Sequence, residues 1–98
     1  MSAYIVVRVD VTDAEKWKEY AAAAGPVVAR FGGKYLARGG EMADLENSED
    51  EGKRVVVLQF ADMETAKAWY NSDEYQAAKT LREGAGHARF TLVDGYEG

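Results

Sequence analysis

Four short strand-like runs alternate with two helical stripes along this chain, in the order strand, helix, strand, strand, helix, strand, and few folds accept that order. The first run, Tyr4 to Val9, is β-branched and ends at Asp10. Thr12-Asp-Ala-Glu15 follows it and reads as a capping box, with Thr12 as N-cap and Glu15 reaching back. Trp17, Tyr20, Ala21, Ala24, Val28 and Phe31 then recur at helical spacing. Gly25-Pro26 lies inside that stripe and predicts a kink or a restart, because proline lacks an amide donor and crowds the preceding turn. Gly32-Gly33 supplies the positive φ that ends a helix.

Lys34 to Arg38 reads as a second strand, closed by Gly39-Gly40, and Arg54 to Phe60 as a third. Asp62 is placed to cap a helix carrying Ala66, Trp69 and Tyr70. Ser72, followed by Asp73 and Glu74, starts a further helical turn that Gly84 and Gly86 end. His87 to Val93 makes the last strand. The expected fold is α+β and ferredoxin-like, a βαββαβ chain with a four-stranded antiparallel sheet and the helices on one face. The 98 residues make one domain, since a chain of this length builds a single core.

Side chains alternate along a strand, so the other sheet face is also legible. Strict alternation gives that face Val6, Arg8, Leu36, Arg38, Val55, Val57, His87 and Val93. Its apolar members form a larger patch than soluble monomers normally show. A second copy of the chain, sheet against sheet about a two-fold axis, is the expected cover, and makes the protein a homodimer.

Composition removes several chemistries. There is no cysteine and only one histidine, so thiolate sites, disulfides and multi-histidine metal sites within one chain are out, and no metal or other cofactor is expected. Acidic residues number 17 against 12 basic ones, and the stretch Glu41 to Glu51 holds six of the acids without a base. Negative charge repels phosphate backbones, which argues against a nucleic-acid partner. The acidic loop 41–52 reads as a solvated connection that is dispensable for folding; it lacks the ligand pattern of a calcium loop. The N-terminal apolar run is broken at Arg8 with no basic segment before it, and no window approaches the length of a membrane span. No membrane partner and a cytoplasmic location are expected.

A resemblance covers nearly the whole chain. Val9-Asp10-Val11-Thr12-Asp13, Tyr20, Phe31-Gly32-Gly33-Lys34-Tyr35-Leu36-Ala37-Arg38-Gly39-Gly40, Leu45-Glu46 and the Arg54–Phe60 run are similar to the DUF1330 family. So are Ala68-Trp69-Tyr70-Asn71-Ser72, Glu74-Tyr75, Arg82 and Val93-Asp94-Gly95. The chain departs from the family pattern after Leu45-Glu46, where Asn47 and a longer acidic run replace a glycine. The resemblance implies membership of the dimeric α/β-barrel superfamily, whose members include cofactor-free monooxygenases, haem-binding enzymes, isomerases and ligand-binding regulatory domains. It carries over no catalytic residue, because the family name records no function.

The candidate site residues therefore come from their chemistry. Arg38, at a strand end beside two glycines, suits bidentate grip of a carboxylate or enolate; a salt bridge to Glu46 is the structural alternative. Arg8 has the same two readings. His87 is the one side chain whose ordinary pKa lies near neutrality and is the candidate acid or base, or a single axial haem ligand, against the alternative of an exposed strand-start histidine. Trp69, Tyr70 and Tyr75 would wall a ligand pocket, or be core. Arg82 would bind ligand, or cap a helix terminus. Two functions follow as expectations. One is a dimer that binds a small organic anion between sheet and helices, acting on it as a cofactor-independent monooxygenase or isomerase. The other is a non-catalytic ligand-binding or assembly module with its barrel filled by side chains.

Overall fold

A computed structural model describes residues 2–43, 45–46 and 54–96. Strands β1 (Ala3–Val11), β2 (Lys34–Arg38), β3 (Arg54–Phe60) and β4 (Gly86–Asp94) form one antiparallel sheet in the order β2-β3-β1-β4. Helix α1 (Ala14–Arg30) joins β1 to β2, and α2 (Met63–Asn71), α3 (Asp73–Lys79) and a 3-10 turn (Thr80–Arg82) join β3 to β4. This is the ferredoxin-like α+β architecture read from the sequence. Ile5, Val7 and Val9 of β1 alternate inward with Leu58 and Phe60 of β3, and Trp17, Tyr20, Ala24, Val28, Trp69 and Tyr75 of the helices close over them. No helix among the described residues is long and apolar enough to cross a membrane, and no group of three or more acidic, histidine or cysteine side chains there could hold a metal ion.

Two local readings hold because their geometry is local. Asp62 accepts from the Thr65 amide at 2.7 Å, and Ser72 Oγ accepts from the Tyr75 amide at 3.1 Å. Three others are corrected. The N-cap of α1 is Asp13, whose carboxylate accepts from the Lys16 amide at 3.1 Å, and not Thr12. The Thr12 and Asp13 amides both donate to the Ala85 carbonyl, at 2.8 and 3.0 Å, so a remote segment holds Thr12 outside the helix. Pro26 does not divide α1, which runs unbroken for 17 residues. Gly25 explains this: the residue before a proline resists helical geometry partly through its Cβ, and glycine has none.

The third correction concerns β2. Tyr35 pairs with Leu58, but Ala37 pairs with Val57 and Arg38 with Val56, so a bulge at Leu36 shifts the register. Beyond it the alternation inverts. Arg38 shares the helix-side face with Tyr35 and Val56, not the outer face with Arg8. The outer face keeps Val6, Val55 and Val57, which are half-buried, and Val93, which is 48% exposed; Leu36 at the bulge is 52% exposed. Of the acidic loop, Glu41 to Ala43, Leu45 and Glu46 are exposed, and its other residues lie outside those described.

Candidate functional site

Between α1 and the sheet lies a cavity of about 200 Å³. Trp17, Tyr20, Ala21, Ala24 and Val28 of α1 form one wall, Val7, Val56, Leu58, Tyr35 and Phe90 of the sheet another, and Trp69 closes an end. Three cations line it, Lys18, Arg38 and Arg54, and among the described residues no carboxylate does. In a chain of net charge −5 that is a local reversal of sign. The cations are exposed, whereas Trp17, Tyr20, Leu58 and Trp69 are buried, so the charge stands at the mouth and the aromatic surface at the floor.

Local structure positions both arginines. The Leu36 bulge turns Arg38 inward, and its guanidinium carbon rests 4.3 Å from the centroid of the Tyr35 ring. Gly39 has φ +66, and a Cβ there would stand 2.9 Å from Arg54 Cδ. Gly39 therefore leaves room for the Arg54 stem beside the strand end that carries Arg38. Among the described residues Arg38 stacks on Tyr35 and forms no ion pair with Glu46, the structural alternative read from the sequence.

Behind the cavity the aromatics form a connected cluster. Trp17 and Tyr20 are 4.9 Å apart by ring centroid, Trp69 and Tyr75 4.3 Å, and Tyr70 and Tyr75 5.3 Å. The Tyr20 and Tyr75 hydroxyls share a buried hydrogen bond of 2.8 Å. Burial raises the Tyr20 phenol well above its ordinary pKa, with the neighbouring Tyr75 adding to the effect, and burial also raises Tyr35 against the opposing charge of Arg38. The folded state keeps phenolic protons that the unfolded chain releases near pH 10. The contribution of these two phenols to stability should therefore be level below about pH 10 and fall above it. In denaturant titrations at rising pH, Tyr20→Phe should make that alkaline fall shallower. At neutral pH it should cost about 1–3 kcal/mol, because Tyr75 loses its partner. An unchanged alkaline slope would show that Tyr20 does not govern it.

The sequence candidates are split by the sheet. Arg38 and Trp69 line the cavity. Tyr75 is fully buried behind Tyr20, and Tyr70 stacks between Tyr75 and Phe90 over a separate shallow groove. Arg82 lies over the Tyr20 and Phe90 rings at 5.4 and 5.0 Å, against two residues of the cavity wall but not itself lining the cavity. Arg8 and His87 belong to the opposite face, where Arg8 pairs across the strands with Arg89 and exposed His87 with Asp10. Arg54, Lys18, Trp17, Tyr20 and Tyr35 line the cavity, though the sequence does not single them out as ligand contacts. For Arg54 a signal exists: it is in phase with Val56, Leu58 and Phe60.

An open antiparallel sheet carrying its helices on one face, with a cation-rimmed aromatic cavity beneath them, defines a ferredoxin-like α+β protein. The chain belongs to the DUF1330 family, described as a domain of unknown function, whose pattern matches residues 2–96. No protein of curated function matches it in sequence. Among solved structures it is similar to a protein of unknown function from Rhodopseudomonas palustris, with TM-score 0.79, 19% identity, and coverage of 99% of this chain and 84% of that one. It is also similar to a dimeric ferredoxin-like protein of unknown function from Jannaschia sp. CCS1, with TM-score 0.74, 14% identity, and coverage of 97% and 100%. A third is SnoaB, a cofactor-independent oxygenase from Streptomyces nogalater, with TM-score 0.65, 13% identity, and coverage of 99% and 95%.

Proposed function

We propose that this protein is a homodimer that binds a small organic anion in the cavity between α1 and the sheet. The observation that carries the reading is the lining: three cations and, among the described residues, no carboxylate around an apolar aromatic floor. A desolvated floor strengthens the attraction between a guanidinium and an entering anion. Arg38 has the geometry for bidentate contact, and its stack on Tyr35 limits the freedom it loses on binding. Arg38→Ala should weaken a carboxylate probe roughly ten- to hundredfold, the equivalent of about 1.5–3 kcal/mol, and leave the melting temperature nearly unchanged. Calorimetric titration checks this. A variant that unfolds, or that binds carboxylates as the parent does, would count against the assignment.

The dimer rests on the outer face. Val6 pairs directly with Val57, Val55 lies beside them, and two structural neighbours are described as dimeric. Multi-angle light scattering at micromolar concentration should give twice the 10.8 kDa chain mass, and Val57→Asp should halve it. A monomeric parent protein would refute the dimer.

Catalysis is the second reading. Arg38 and Arg54 line the mouth of the cavity, so a bound enolate would meet two guanidinium groups where its charge develops. His87 stands on the other face of the sheet from this cavity in its own chain, so within one chain it does not reach a molecule bound there. The neighbouring cofactor-independent oxygenase makes oxygen uptake in the presence of a bound anion the assay to run. Binding without turnover leaves the non-catalytic ligand-binding module.

A further inference from the structure

We infer that the ligand is a carboxylate borne on a single aromatic ring, which enters ring first; the inference rests on the anion-binding reading above and adds its substrate class. Size is the first ground. A cavity of about 150 Å³ lined by apolar side chains suffices for benzene. The roughly 200 Å³ here leaves room for one ring with a small substituent, but not for fused rings. Shape is the second. The floor is built from Trp17, Tyr20 and Trp69, flat surfaces on two helices, and flat walls favour a flat guest through offset or edge-to-face contact. Polarity is the third. The Tyr20 hydroxyl is already bonded to Tyr75, which leaves the Trp69 indole N–H as an unpartnered donor, among the described residues, beside otherwise apolar ring surface, so the floor suits an inner end that is mostly apolar. Every charged group of the lining is exposed, which places the carboxylate at the mouth, against Arg38 and Arg54 with Lys18 across from them.

The chain provides its own reporter, because both of its tryptophans line the cavity. Tryptophan fluorescence of the full-length protein, confirmed by calorimetry, should be followed with four probes. These are 4-methylbenzoate, its neutral counterpart 4-methylbenzamide, hexanoate and anthracene-2-carboxylate. We expect 4-methylbenzoate to bind at least tenfold tighter than each of the other three, and Arg38→Ala to remove most of its advantage over the amide. Hexanoate binding as tightly as 4-methylbenzoate would overturn the aromatic class while leaving the anion site intact. Anthracene-2-carboxylate binding as tightly would overturn the single-ring limit. If no carboxylate binds and Arg38→Ala changes nothing, the underlying anion-binding reading fails instead.

Discussion

Trp69→Ala is expected to destabilise the protein by about 3–5 kcal/mol, the usual cost of deleting a fully buried large aromatic. Trp69 is 1% exposed and is the largest of the fully buried side chains. Its ring contacts Phe60 of the sheet at 5.3 Å and Tyr75 of α3 at 4.3 Å, so it ties α2 to both neighbours. A domain of this size loses about 4–8 °C of melting temperature per kcal/mol, so the transition should fall by about 12–40 °C, which circular dichroism checks. Trp69→Phe separates packing from polarity. The indole nitrogen is buried and has no hydrogen-bond partner among the described residues, so the swap forfeits no bond there and should cost much less than the alanine. Equal losses for the two variants would show that the indole N–H matters through a contact made only in the assembled protein.

What the sequence reveals and what it conceals divide along the range of the interactions concerned. Asp62 and Ser72 are legible as caps because a cap is settled within three residues. The element order is legible because alternation and helical spacing are written along each run. Thr12 fails as N-cap because its amide is held by the carbonyl of Ala85, which no local pattern announces. Strict alternation puts Arg38 on the wrong face because Lys-Tyr-Leu-Ala-Arg carries no mark of a bulge; the bulge exists only as a mismatch with β3. The Tyr20–Tyr75 bond joins positions 55 residues apart, and each tyrosine by itself looks like core. Arg54 is the recoverable omission, since it shares the phase of a strand that the sequence already shows.

The same division explains why the site is only half visible in sequence. Its floor consists of residues chosen for packing, and packing positions are what periodicity detects. Its mouth consists of Lys18, Arg38 and Arg54 from three elements, which converge only after the sheet order β2-β3-β1 and the α1 crossover are formed. A cationic rim assembled this way leaves no spacing signature. That no carboxylate among the described residues lines it becomes evident only from the cavity outward.

Gly86→Ala should be the most damaging change that removes no atoms. A Cβ at Gly86 would overlap the Asp10 carbonyl oxygen and stand 3.1 Å from Val11 Cα, both backbone, so no side-chain rotation relieves the clash. Relief requires the start of β4 to move away from the end of β1. The adjoining Ala85 carbonyl, which accepts the Thr12 and Asp13 amides, would move with it. Two hydrogen bonds at about 1 kcal/mol each, added to the backbone strain, bring the expected loss to about 3–4 kcal/mol. Gly84→Ala is the matched control. Its φ of +78 imposes a left-handed penalty of about 1–2 kcal/mol, but the nearest atom to a Cβ there is Lys16 Nζ at 3.6 Å, which can swing aside. Chemical denaturation should thus rank Gly86→Ala well below Gly84→Ala in stability. The damage should also reach the cavity, because Ala85 anchors the entry to α1 and α1 carries Trp17 and Tyr20. Equal losses for the two glycines would mean that the β1–β4 junction yields freely and that α1 takes its position from packing alone.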